Sequence, residues 1–441
     1  MKTVTRYPTA PIQVWQKMKE LRRWHGKHAG DAKKRGDLVV QGVVEAYLAL
    51  FSGFGDFANP TYGPYFTQLQ RNEEQLQKVL EATERRGYSR EICSSMRCHL
   101  GQLFTGIAAQ TVKGEPAMPD VLFQFNNCHS MVKTGQLFSE ELGVPYYVLD
   151  VPYKHGPAEV EYNVQCLFDA IEWMEKATAR KFDDEKFLEG VNIEWEASAL
   201  FSRVCELQKN IPAPFDMRQL WSLRLPLVTM RYRQECLEYT RELLAEAEER
   251  VEKGISARGF ETARFTQEGI PPFYHIKVLR YPAEYGAVFV GGEILFSSFG
   301  CWEWDDDGHW KVPLTPRERG WKLKTREDGV RALVDLYLLH HPLHRFCHSE
   351  VRPKEFIARV RDWRCDGAVL HLDRGCKGYQ TGMIEAKLAF HQAGIPCATY
   401  ESSQADCRDF DQTQVYDGLD SFFESLGLRK LQLEGQKEET E

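Results

Sequence analysis

The stretch Asp366–Tyr400, DGAVLHLDRGCKGYQTGMIEAKLAFHQAGIPCATY, decides how the rest of the chain is read. Ala368–Leu372 is a short apolar run with the composition of a strand covered on both faces. Asp373-Arg374-Gly375 breaks it, and Cys376 stands just past its carboxyl end. Thr381–Gln392 is helical in period, with Met383, Ile384, Leu388 and Phe390 on one broad face. Gly394 suits a helix C-cap, and Ile395-Pro396 opens a second strand. The unit occurs earlier as well, in Asp120–Asp150, DVLFQFNNCHSMVKTGQLFSEELGVPYYVLD. An apolar run, Val121–Phe125, is followed by Cys128 and by a helix with Met131, Phe138 and Leu142 on one face. Gly143-Val144-Pro145 closes it as Gly394-Ile395-Pro396 closes the other. Two copies of strand–Cys–helix–Gly–apolar–Pro predict parallel α/β sheets. In open sheets of this kind chemistry gathers outside the carboxyl ends of the strands, where both cysteines stand.

At 441 residues the chain is expected to form two or three domains. Its 43% hydrophobic and 27% charged residues are those of a soluble globular protein. A formal net charge of −8 argues against nucleic acid as a partner. No uncharged apolar run reaches about 18 residues, the length a membrane span needs. The patches Val43–Phe57 and Ala287–Phe299 are interrupted by Glu45 and Glu293. The start, MKTVTRYPTAPIQ, lacks the apolar core of a signal peptide, so a cytoplasmic protein is expected. In that reducing compartment the 12 cysteines are expected as free thiols or metal ligands, and no C-x-x-C pair is present.

Read in order, residues 1–37 form an N-terminal helical segment, with a basic amphipathic helix over Trp15–Trp24 and a surface turn over Lys27–Gly36. Residues 38–158 form a first α/β domain holding Cys93 and Cys128. It includes the apolar stretch Leu38–Phe51 with Glu45 inside it, a loop over Gly53–Pro64 and a polar helix over Gln68–Arg86. Residues 159–258 are helical in period over Glu161–Ala179, Asp184–Lys209 and Met217–Lys253, and are read as a bridge. Cys166, Cys205 and Cys236 lie within these helices as small apolar side chains. Residues 259–430 form a second α/β domain holding Cys376. Strands are expected over Phe273–Leu279 and Ala287–Phe296, and helices over Arg326–Leu339, Pro353–Trp363 and Gln412–Leu426. Residues 431–441 are polar and read as a disordered tail.

Cys128 and Cys376 occupy equivalent places in the repeat, so a pseudo-two-fold arrangement would bring them to one cleft. Cys93 or Cys98 would supply a third thiolate. Three thiolates can bind three irons of a cubane and leave the fourth open; the other reading is that all are buried thiols. His340, His344 and His348 repeat every four residues with His341 and Cys347 nearby, a metal spacing on a helix, but Pro342 interrupts it and a solvated connector is the plainer reading. Asp305-Asp306-Asp307 with His309 reads as a hairpin turn among Trp302, Trp304 and Trp310 rather than a cation site. The phosphate- and dinucleotide-binding glycine motifs are absent, so neither ATP nor NAD is expected on this chain.

The cysteine contexts resemble the 2-hydroxyacyl-CoA dehydratase / benzoyl-CoA reductase family. Its C-S-x-x-R-x-x-L-G element is matched by Cys93-Ser94-Ser95-Met96-Arg97-Cys98-His99-Leu100-Gly101. Its second and third cysteines are matched by Asn126-Asn127-Cys128-His129 and Arg374-Gly375-Cys376-Lys377. Its closing D-x-R-D-F element is matched by Asp406-Cys407-Arg408-Asp409-Phe410. Length and a Trp-rich N-terminal region are most like the larger cluster-bearing subunit of an ATP-dependent benzoyl-CoA reductase. The resemblance implies two Rossmann-like α/β domains with parallel sheets, joined by a long helical segment, and a 4Fe–4S cluster in the crevice between them. Cys93, Cys128 and Cys376 would be its ligands, with Cys98 as the alternative to Cys93 and a larger double-cubane cluster as the alternative cofactor. A smaller homologous subunit, an ATP-hydrolysing activator, a ferredoxin-type electron donor and an acyl-CoA substrate are implied with it. His129, His371 and Glu45 are the titratable candidates for proton transfer. Dehydration of a 2-hydroxyacyl-CoA and a non-catalytic electron carrier are the alternative functions.

Overall fold

A computed structural model describes residues 3–42, 46–59, 69–106, 118–126, 128–340 and 351–431. β1 (Leu38–Gln41), β2 (Phe57–Ala58), β3 (Val121–Phe125) and β4 (Tyr146–Leu149) form one sheet in the order β2-β1-β3-β4. β5 (Ala263–Glu268) and β6 (Ala287–Gly291) follow. A small antiparallel hairpin comes next, β7 (Glu303–Trp304) with β8 (Trp310–Lys311), and then β9 (Gly367–Asp373) and β10 (Cys397–Ser402). The second sheet has the order β10-β9-β5-β6. Every pairing within the two sheets is parallel.

The two sheets carry one plan. β3 runs through the Cys128 helix to its neighbour β4 at a sheet edge, and β9 runs through the Cys376 turn to its neighbour β10 at a sheet edge. The repeat read in the sequence is therefore a repeat of topology. Its apolar runs arise because parallel strands are covered on both faces: all of Val121–Phe125 is buried, and so is β9 except Leu372.

Several expected elements differ. No strand forms over Phe273–Leu279; Phe273–Tyr285 winds in helical turns, and the strand lies earlier, at Ala263–Glu268. Arg264, Gln267 and Glu268 make that stretch read as polar, yet all six of its residues are buried. Their polar groups are satisfied inside: Arg264 donates to the carbonyls of Trp363 and Asn210 at 3.1 and 2.8 Å, and Glu268 pairs with Arg359 at 2.7 Å. β6 stops at Gly291 rather than Phe296, and Glu293–Phe299 is a helix. The N-terminal helix runs Trp15–Gly30, and a short helix, Ala32–Arg35, follows where a surface turn was expected; Ala29 and Ala32 anchor both by burial. Met217–Lys253 forms three helices, Met217–Leu223, Leu225–Met230 and Gln234–Glu252, the first break falling just before Pro226. On the helix Met383–Gln392, Met383 and Phe390 are buried as expected, but Ile384 and Leu388 face outward.

Helix Asp184–Glu206 joins the two cores. Phe187, Val191, Trp195 and Ala199, four residues apart, pack into the core of the first sheet. Ile193, Ala197, Phe201 and Val204 pack into that of the second. Such a helix is apolar nearly all round because it is buried nearly all round. Its one buried carboxylate, Glu194, accepts from the amides of Leu48 and Ala49 at 3.3 and 2.7 Å and meets Arg231 at 3.5 Å. Cys205 and Cys236 are fully buried and Cys166 half-buried. Glu45, Asn127, His341, His344, Cys347, His348 and the tail from residue 432 lie outside the described residues. No helix among the described residues is long and apolar enough to cross a membrane.

Candidate functional site

Each of the three cysteines is the residue immediately before a helix. Cys93 precedes Ser94–Thr105, Cys128 precedes His129–Leu142 and Cys376 precedes Lys377–Gln380. Cys128 and Cys376 reach this place as the third residue after β3 and β9. Cys93 reaches it from the other direction. The preceding helix, Glu73–Arg85, packs so tightly on Ser94–Thr105 that a side chain at Gly101 would strike the Val79 carbonyl.

The three starts converge. Gly375 sits at φ +82, and a Cβ on it would lie 2.9 Å from the Ile92 carbonyl oxygen, so the turn before Cys376 rests on the turn before Cys93. Met96 and Met131, one turn into their helices, pack with Cys93 and Cys128 into one cluster. All three thiols are free. Burial pushes the Cys93 thiol up to about 12, and the neighbouring Cys128 and Asp373 push in the same direction. Burial likewise drives Cys376 well above the ordinary thiol value, with Asp373, Cys93 and Cys128 adding to it. Cys128 is raised by burial. None of the thiols closes a regular helix cap. The amides of Ser95 and Met96 at Cys93, Ser130 and Met131 at Cys128, and Tyr379 at Cys376 still oppose the rise. Three thiols and a carboxyl thus lie together among main-chain N–H groups, with Cys93 and Asp373 buried and Cys128 and Cys376 half-buried.

Cys98 belongs elsewhere. It lies five residues on from Cys93, roughly 140° around the helix. Its sulfur donates toward the Ala405 carbonyl at 3.5 Å and receives the Gln70 amide at 3.8 Å, within a core of Leu76, Val79, Leu80 and Ala405.

The loop after β10 closes the site from the second sheet. Gln404 donates from Nε2 to Cys93 Sγ at 3.3 Å, and the Ala405 amide donates to Ser94 Oγ at 3.1 Å. Beneath them Arg97 meets Asp406 at 3.0 Å and Glu84 at 3.1 Å, and Arg408 meets Asp406 at 2.7 Å and Glu84 at 2.6 Å. Two buried polar atoms here have no partner, Ser95 Oγ and Asp373 Oδ2. Soft sulfur donors offered from three helix starts, encircling amides and unsatisfied buried polar atoms together fit an anionic iron–sulfur cluster. Among the described residues only His28, Asp37 and Asp56 bring three donor atoms within 4.8 Å. Arg35 and Arg233 already pair with those two carboxylates, at 2.5 and 2.6 Å. The three cysteine sulfurs do not all lie within that distance of one another.

The titratable candidates are not gathered in the same way. His129 is exposed on the first turn of the Cys128 helix. His371 is buried within β9, with Nδ1 at the Ile270 carbonyl and Nε2 2.7 Å from the Ser402 hydroxyl, stacked on Tyr400. Burial depresses it to about 4, so it is a packed neutral histidine. The site residues that sequence reading missed are Asp373 and Gln404. The place of Asp373 at the end of β9 was a usable signal; Gln404, in a polar Ser-Ser-Gln-Ala-Asp run, carried none.

The sequence profile of the family described as 2-hydroxyglutaryl-CoA dehydratase, D-component, matches residues 73–426. The chain is 26% identical to the (R)-phenyllactyl-CoA dehydratase alpha subunit of Clostridium sporogenes, over 80% of this chain and 81% of that one. It is 27% identical to the alpha subunit of (R)-2-hydroxyglutaryl-CoA dehydratase of Acidaminococcus fermentans, over 70% of this chain and 61% of that one. It is 22% identical to one of the subunits of the benzoyl-CoA reductase of Thauera aromatica, over 94% of both chains.

Proposed function

Since the chain belongs to the family of the 2-hydroxyglutaryl-CoA dehydratase D-component, we propose that it is the cluster-bearing subunit of an enzyme that reduces a CoA thioester one electron at a time, with Cys93, Cys128 and Cys376 as ligands of a 4Fe–4S cluster. The convergence of three helix-start thiols, Cys93 buried and Cys128 and Cys376 half-buried, carries this reading. When bound, such a cluster supplies single electrons at low potential. The chain's own residues do the rest. The helix-start amides of Ser95, Met96, Ser130, Met131 and Tyr379 hold negative charge on the sulfurs. Met96 and Met131 exclude water, which protects low-potential electrons from loss to protons. Burial raises the Asp373 carboxyl well above the usual carboxylate range, and since Oδ1 accepts from the Gln404 amide at 3.2 Å, Oδ2 is the atom that can carry a proton. His129, exposed on the first turn of the Cys128 helix, is the solvent-facing candidate for proton transfer.

The reaction we propose is the two-electron, two-proton reduction of an aromatic acyl-CoA to a cyclic dienoyl-CoA. The match to a benzoyl-CoA reductase over 94% of both chains supports it. Dehydration of a 2-hydroxyacyl-CoA is the second reading, supported by the higher identity, 25–27%, to dehydratase alpha subunits. Either reaction takes a second, smaller subunit and an ATP-hydrolysing activator fed by a ferredoxin-type donor. The test is anoxic assay of the chain with partner, activator and ATP. ATP-dependent conversion of benzoyl-CoA to a dienoyl-CoA supports the first reading, and loss of water from a 2-hydroxyacyl-CoA the second. Activity on neither thioester rejects both.

A further inference from the structure

We propose that Gln404, from the loop after β10, sets the reduction potential of the cluster through its hydrogen bond to the Cys93 sulfur. The inference rests on the cluster reading above. Gln404 is 4% exposed, and its Nε2 lies 3.3 Å from Cys93 Sγ across 311 residues of sequence. Its main chain is fixed at both ends. The Phe273 amide donates to its carbonyl at 2.7 Å, and its own amide donates to Asp373 Oδ1 at 3.2 Å. A neutral amide donor suits that place, since a lysine or arginine there would bring a full charge among buried groups.

The sign follows from charge. Reduction adds an electron, much of whose density falls on the sulfurs. A donor aimed at a thiolate stabilises the reduced form more than the oxidised one, and so raises the potential. The bond also crosses between the two halves of the molecule. Cys93 starts a helix that packs beside the first sheet, while Gln404 hangs from the second, and the buried Arg97–Asp406 pair keeps the two together. The electron affinity of the site is thereby tied to the docking of this loop, and Gln404 is a tuning residue that acts through Cys93.

The test is an EPR-monitored redox titration of the reconstituted chain under anoxia, with iron content and thermal midpoint measured beside it. Gln404→Leu keeps the volume and removes the donor. It is expected to bind as much iron as the wild type, with a lowered midpoint potential. If Gln404→Leu loads poorly, Gln404→Met takes its place in the comparison. An equal or higher potential in the loaded variant would overturn the proposal. A wild-type chain that binds no iron would instead overturn the cluster reading on which it rests, so the two failures are told apart.

Discussion

Arg97 and Asp406, 309 residues apart, meet at 3.0 Å with neither side chain exposed. Each belongs to a different sequence element that marks the family resemblance: Arg97 follows Cys93 by four residues, and Asp406 opens the stretch Asp406–Phe410. The pair holds the β10 loop, with Gln404 in it, against the Cys93 helix. Removing one partner of a buried pair leaves an uncompensated charge, which costs about 3 kcal/mol or more. Arg408 remains beside Asp406 and softens the loss. Arg97→Ala is therefore expected to lower the thermal midpoint by several degrees, and the double variant Arg97→Met/Asp406→Leu by less. A double variant less stable than Arg97→Ala would contradict this.

The same pair has a pH signature. Burial raises the Asp406 carboxyl, but Arg408 and Arg97 outweigh it and hold the group below the usual carboxylate range. A depressed carboxylate adds stability above its unfolded value, about 3.9, and that stability is lost as pH falls through the folded value. Asp406 is expected to contribute nothing to any change in stability above about pH 5. His99 and His371 act higher. Burial lowers both from 6.5 to about 4, so the unfolded chain takes up their protons first. Denaturant titrations should show stability falling as pH drops from about 6.5 to 4, by at most about 3 kcal/mol per histidine. The double variant His99→Gln/His371→Gln should show a flatter profile.

Gly375→Ala tests the contact between the two turns. The substitution meets an unfavourable φ of +82 and places a methyl 2.9 Å from the Ile92 carbonyl oxygen. The backbone alone costs about 1–2 kcal/mol, and the clash pushes Cys376 away from Cys93. Gly394→Ala is the control, with φ +69 but open space around it. Both should lose stability, but only Gly375→Ala should lose iron.

Much of this arrangement was legible in the sequence because it obeys simple rules. β3 and β9 announce themselves because strands buried on both faces are apolar, and Cys128 and Cys376 follow from the shared plan. β5 was not legible, because Arg264 and Glu268 are satisfied by partners far along the chain, Trp363 and Arg359. The break at Pro226 was written in the residue itself but masked by continuous helical period on either side. Gln404 and the Arg97–Asp406 pair were invisible for the same reason as β5. Their meaning lies in a contact that only the fold creates.

The outward pair Ile384 and Leu388 separates local period from tertiary position. Both were placed on the apolar face of their helix, yet they are 50% and 57% exposed, while Met383 and Phe390 fill the core. Substituting Ile384→Ser and Leu388→Ser together should leave the thermal midpoint of the isolated chain within about a degree or two, since exposed substitutions usually change stability by less than about 0.5 kcal/mol. A loss of the size seen for core residues would place them inside.

The central claim, that Cys93 rather than Cys98 joins Cys128 and Cys376 around a cluster, is tested most directly by iron and acid-labile sulfide analysis of anoxically reconstituted variants. The wild type is expected to carry about four irons. Cys93→Ala, Cys128→Ala and Cys376→Ala should each lose most of that iron while remaining folded, whereas Cys98→Ala, Cys205→Ala and Cys236→Ala should retain it. Full iron in Cys93→Ala with loss in Cys98→Ala, or no iron in the wild type at all, would contradict the account.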